Sequence, residues 1–133
     1  MWGALPGQFG DGTEMKSIVL ILILTSAAAL GAYLLLLWFR RIRRPILVAV
    51  HLMLGVGGTE TLIMFVHNSD FAPDSLARRL ALVAAAFLGV AIFSGFTAPL
   101  FGRNYRAANA MLAAHVSCGV AGFLIALGFV SQL

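Results

Sequence analysis

The chain has 133 residues, a formal net charge of +4, 61% apolar residues and 11% charged residues. Soluble globular domains carry about 45–50% apolar and about 25% charged residues, so this composition excludes one and leaves no water-facing region for separate catalytic chemistry. The positive charge does not read as a nucleic-acid patch, because the arginines are gathered into short loops between apolar runs.

Residues 1–16 form a polar, glycine-rich leader, with 1–14 expected to hold little regular structure. From Met15 the stretch "MKSIVLILILTSAAALGAY" has the lysine, apolar run and small residues of a signal peptide. The apolar run continues through "LLLLWF" into "RRIRR", however, which makes it long enough to span and gives it a stop. A bilayer crossing takes about 20 helical residues. Four segments of residues 17–133 qualify: Ser17–Phe39, Pro45–Val66, Leu76–Phe101 and Ala107–Ser131. The expected fold is therefore all-α, an integral membrane four-helix bundle.

Between the spans the charges are sorted by sign. Arg40, Arg41, Arg43 and Arg44 fill the first loop, and Arg103 and Arg106 the third. Asp11, Glu14, Asp70 and Asp74 fall on the other side, where Lys16, Arg78 and Arg79 are the minority cations. The positive-inside rule makes the arginine loops cytoplasmic and both termini external, as in a bacterial inner membrane protein. Asp74 or Ser75 is expected to cap the third helix after Pro73, and Pro99 to kink its inner end. Trp38 and Tyr105 suit the cytoplasmic interface. Cys118, the one cysteine, reads as a small packing residue.

The second and fourth spans resemble each other. "AVHLMLGVGG" (49–58) aligns without gaps to "AAHVSCGVAG" (113–122), pairing His51 with His115, Gly55 with Gly119 and Gly58 with Gly122. The same 64-residue offset carries Phe65 onto Phe129, Gly31 onto Gly95, and the loop at Arg41 onto the loop at Tyr105. Two similar transmembrane hairpins are expected. Internal repeats of this kind often place a site at the repeat interface.

The two histidines are level. Each lies ten residues beyond the centre of an arginine loop, at 41 and 105, and each of Gly31 and Gly95 lies ten before it. At 1.5 Å per residue all four sit about 15 Å from the loop centres, in the cytoplasmic half of the bilayer. Ionisable residues within spans face the bundle interior and are functional candidates. Glycines at +4 and +7 fall on the histidine's own helical face, so Gly55 and Gly58, like Gly119 and Gly122, predict a flat slot above each ring. Gly31 and Gly95 offer similar clearance on the other two helices.

A flat slot between opposed imidazoles suits a porphyrin, and two histidines would fill both axial positions of its iron. Such a centre transfers electrons and leaves no open metal position for a substrate, so the chain is not expected to be an enzyme on its own. Arg44 and Arg106 are placed to pair with propionates. The same glycines also suit close helix packing without a cofactor, and each histidine alone suits a chlorophyll-type pigment.

This pattern of histidines on the second and fourth helices, with glycines on the first and third at the same level, resembles the haem-bearing core of membrane b-type cytochromes. The resemblance covers most of the chain but rests on His51, His115, Gly31 and Gly95. It implies one bis-histidine haem b, with His51 and His115 as iron ligands. Members with two haems carry a second histidine about fourteen residues along each helix, where this chain has Phe65 and Phe129. The implied haem is therefore the cytoplasmic-side one alone. The implied partners are the lipid bilayer, the other subunits of a respiratory or photosynthetic redox complex, and quinone, with no nucleic acid. A cofactor-free structural subunit is the alternative.

Glu60, the one acid inside a span, lies nine residues from His51 on roughly the opposite face, which leaves it open to a partner subunit, a quinone head group or proton relay, or to pairing with Arg78, Arg79 or Thr61 or facing interfacial water. His67 reads as interfacial and lacks a counterpart, since Ser131 occupies the matching place.

Overall fold

The computed structural model describes residues 11–101 and 104–133. Leader residues 1–10 and Arg103 lie outside the described residues. Four α-helices follow in order: α1 (Asp11–Phe39), α2 (Pro45–His67), α3 (Leu76–Thr97) and α4 (Tyr105–Val130), with no strand among the described residues. Each is long and apolar enough to cross a membrane. The protein is an all-helical integral membrane four-helix bundle.

The helix ends follow their local chemistry. α2 starts on Pro45, whose missing N–H costs nothing in a first turn. Ser75 caps α3, its Oγ accepting from the Arg78 N–H at 3.3 Å. Asn104 caps α4, its Oδ1 accepting from the N–H groups of Arg106 and Ala107. α1 closes with paired bonds from Ile42 N–H to Leu37 O and from Arg41 N–H to Trp38 O, which puts Arg41 in the left-handed region at φ 57°.

Three boundaries differ from the sequence expectation. α1 begins at Asp11, so residues 11–14 are helical and not an irregular leader. A polar first turn is masked when a helix is read from its apolar run. α3 stops at Thr97 and passes into a 3₁₀ turn, Ala98–Phe101. Pro99 lacks the N–H that would continue the α-helical ladder. α4 starts at Tyr105, two residues early, because the Asn104 cap sets its first turn.

The helices pack in a ring, α1 to α2 to α3 to α4, with antiparallel neighbours; α3 and α4 pack most extensively, and α1 and α4 meet least. This leaves α2 and α4 parallel and diagonally opposed. In lipid, helices associate through van der Waals packing of small residues, because the tails are as apolar as the side chains. On α3 the seam Ala77, Ala81, Ala84, Leu88, Ala91 is buried. The equivalent face of α1 buries Leu20, Leu24 and Ala27. Leu20 stands where α3 has Ala84, and on the partner helices Leu62 stands where α4 has Ala126; all four are buried. The bulkier pair holds α1 off α2, and the alanines let α3 close on α4.

The core gathers in the half of the bundle away from the arginine loops, around Leu24, Leu62, Phe65, Leu88, Ala126 and Phe129. Phe65 and Phe129 meet edge to face at 5.6 Å. Phe71, from the α2–α3 loop, lies against both rings, at 6.5 Å and 6.0 Å. Large apolar side chains such as Leu22, Leu36, Met53, Phe93 and Leu124 are exposed on the outside of the ring, the surface a bilayer covers.

Candidate functional site

His51 on α2 and His115 on α4 face each other across the bundle diagonal. Their ring centres are 5.8 Å apart and their planes are turned 79° from one another. Both side chains are half-buried.

Each ring is anchored to the neighbouring helix of its own hairpin. His51 Nδ1 donates to the carbonyl oxygen of Ala27 at 3.0 Å, and His115 Nδ1 donates to that of Ala91 at 2.7 Å. Ala27 and Ala91 are themselves 64 residues apart, so the contact repeats with the sequence. A carbonyl has no proton to give, so Nδ1 must carry the hydrogen. The neutral ring then keeps its lone pair on Nε2. Among the described residues no hydrogen bond reaches either Nε2.

The glycines make this anchoring possible. In a helix a side chain leans back over the turn before it, so the residue at +4 covers a given carbonyl. At Gly31 and Gly95, four residues after Ala27 and Ala91, there is no side chain. A Cβ at Gly31 would lie 2.8 Å from His51 Cε1, and one at Gly95 would lie 2.6 Å from His115 Nδ1. These two glycines face inward, and what they receive is the histidine ring.

The other four glycines divide by level. A Cβ at Gly55 would meet nothing within 4 Å, and one at Gly119 would meet Ala91 Cβ at 3.9 Å. One turn above each ring there is therefore open space. Two turns above, the space is closed. A Cβ at Gly58 would lie 2.7 Å from Leu24 Cδ2, and one at Gly122 would lie 2.9 Å from Leu88 Cγ. The expected two-turn slot is thus one turn high, and Gly58 and Gly122 act as contact points between helices. Leu24 and Leu88 share the 64-residue offset, so even this closure repeats.

The remaining residues lie off the histidine layer. Arg44 and Arg106 are exposed at the arginine end. Glu60 is exposed on the outside of α2, and the Thr61 hydroxyl donates to Gly57 O. His67 is exposed at the end of α2, far from the pair. Cys118 is half-buried with a free thiol.

Sequence reasoning missed the carbonyls of Ala27 and Ala91, because an alanine advertises nothing. The available signal was spacing: in both hairpins an alanine precedes the glycine by four and the histidine by twenty-four.

Comparison with protein-family models, with curated proteins and with solved structures finds no match to this chain.

Proposed function

We propose that this protein is a membrane electron-transfer subunit that holds one haem b between His51 and His115. The observation that carries the reading is the pair of Nδ1–carbonyl bonds. A metal-ligating histidine typically donates its other ring N–H to a carbonyl or carboxylate, which fixes both tautomer and orientation. Here two rings are prepared that way and set opposite one another.

The donor set suits a macrocycle better than a bare ion. Among the described residues no group of three or more His, Cys, Asp or Glu could hold a metal. A zinc site draws three or four ligands from the protein, whereas a porphyrin brings four nitrogens and asks for two axial ones. His51 and His115, with ring centres 5.8 Å apart, are the two residues that would hold such a group. The absence of side chains at Gly55 and Gly119 gives room beside the rings. Arg44 and Arg106 would pair with the propionates at the arginine end.

Held by His51 and His115, such a haem would supply one-electron transfer. The protein's own part is to keep each Nε2 unprotonated, to hold each ring against its helix, and to surround the layer with apolar side chains. The arginine end faces the cytoplasm on this reading, with both termini external, as in a bacterial inner membrane. One centre in one half of a bilayer does not carry electrons across about 30 Å of hydrocarbon. The subunit therefore works inside a larger respiratory or photosynthetic complex, or exchanges electrons with quinone. The pattern stays similar to that of membrane b-type cytochromes with one haem.

A cofactor-free structural subunit is the second reading, favoured by Leu24 and Leu88 filling the glycines at 58 and 122. Pyridine haemochrome analysis of the purified protein separates the two. One haem per chain is expected. Intact protein without haem favours the structural subunit, and red absorption in its place favours a chlorophyll-type pigment.

A further inference from the structure

One cavity among the described residues is lined by neither histidine. It is a groove of about 660 Å³ between the arginine end of α1 and the first half of α4. Its walls include Leu35, Leu112 and Val116, with Trp38 beside them and Arg41, Asn109 and Ser117 as polar residues. It forms along the edge where α1 and α4 meet least. Phe39 in its wall and Leu36 next to it are 73% and 61% exposed, so the groove borders the surface that faces lipid.

No acid of this chain answers Arg41. The five acidic residues are Asp11, Glu14, Glu60, Asp70 and Asp74, and none lies at the arginine end of a helix or in its loops. Arg40, Arg43, Arg44 and Arg106 are exposed around the same end. The local charge is positive and has to be balanced from outside the chain. Arg41 also occupies a left-handed position, φ 57°, where helix ends favour glycine. Folding alone does not ask for an arginine there.

We propose that this groove holds one anionic phospholipid, its phosphate on Arg41 and one acyl chain along Leu35, Leu112 and Val116. An elongated apolar trough with a cation at its membrane-interface end matches a lipid in shape and polarity. A net anionic headgroup is favoured over a zwitterionic one because it brings no cation into a cluster of unpaired arginines. The site is independent of the haem reading.

Trp38 reports on it. With Trp2 replaced by phenylalanine, Trp38 is the one remaining tryptophan. That protein is reconstituted in phosphatidylcholine vesicles carrying a graded series of mole fractions of either brominated phosphatidylglycerol or brominated phosphatidylcholine. Trp38 fluorescence should be quenched by the anionic lipid at about fivefold lower mole fraction, the preference one arginine near the membrane surface confers. Arg41→Gly and Arg41→Gln should each abolish the preference, and Arg43→Gln should keep it. Equal quenching by the two lipids in the parent protein would overturn the proposal. So would a preference that survives Arg41→Gln, or one lost as fully in Arg43→Gln, since either would reduce the effect to the general charge of the loop.

Discussion

Phe65 and Phe129 meet edge to face at 5.6 Å, fourteen residues along their helices from His51 and His115, which meet at 5.8 Å. Both pairs join equivalent residues of the two hairpins, so both lie on the pseudo-two-fold axis of the bundle. They are about 21 Å apart along it. One layer is closed by three aromatic rings in mutual contact and by neighbouring leucines. The other is lined by two histidines with glycines around them.

The aromatic layer is the stabilising one. Phe129 is fully buried. Phe129→Ala should lower stability by about 3–5 kcal/mol, the usual cost of removing a buried phenylalanine. Unfolding in mixed detergent micelles measures this. In the fraction that stays folded, any haem spectrum should keep its shape, because the histidine layer is untouched.

Gly31→Ala and Gly95→Ala should act on the histidines. The new methyl would sit 2.8 Å from His51 Cε1 and 2.6 Å from His115 Nδ1, so each ring would have to move off its helix. The expected cost is about 1–3 kcal/mol of overpacking. Loss of the carbonyl anchor should weaken haem retention about tenfold or more, as loss of other outer partners of metal-bound histidines does. Haem titration into the stripped protein reads the second effect. Gly89→Ala, exposed and with nothing near its Cβ, is the control, and should be neutral or stabilising by about 0.5–1 kcal/mol.

Gly55→Leu separates a cofactor site from a packing seam. A Cβ at this position would meet nothing within 4 Å. Without a cofactor the leucine should be tolerated, with stability within about 1 kcal/mol of the parent, because glycine itself disfavours the helix. With a macrocycle in that space the variant should fold and fail to bind it. Gly58→Leu should instead be poorly folded, since Leu24 already occupies its face. Circular dichroism together with haem content distinguishes the outcomes.

Arg41→Gly should raise thermal stability. The left-handed conformation at φ 57° costs a non-glycine residue about 1 kcal/mol, and the helix-closing bonds from residues 41 and 42 are made by backbone groups that glycine retains. Thermal unfolding in detergent measures the gain.

Much of the bundle was legible in the sequence because lipid imposes simple rules. Span length, the sorting of arginines and the 64-residue offset sufficed for four helices, two hairpins and histidines at one depth. What the pattern could not supply was the crossing of one helix over another. A helical wheel puts Gly55 and Gly58 on the same face as His51, and only the position of Leu24 on α1 decides that one stays open and the other closes. The glycines at 31 and 95 were legible as clearance, but their role in exposing a carbonyl depends on the side-chain lean of the preceding turn. The Arg41 groove was illegible, since its walls come from opposite ends of the chain, which meet because residues 41–104 fold back between them.

The reduced-minus-oxidised optical spectrum of the purified protein, beside His51→Ala and His115→Ala, bears most directly on the paired histidines. The wild type should show a Soret band and an α band that sharpen on reduction, and each single variant should lose them while keeping its helical circular dichroism. A wild type folded and pure without a redox-sensitive band, or bands that persist in both variants, would contradict a haem held between His51 and His115.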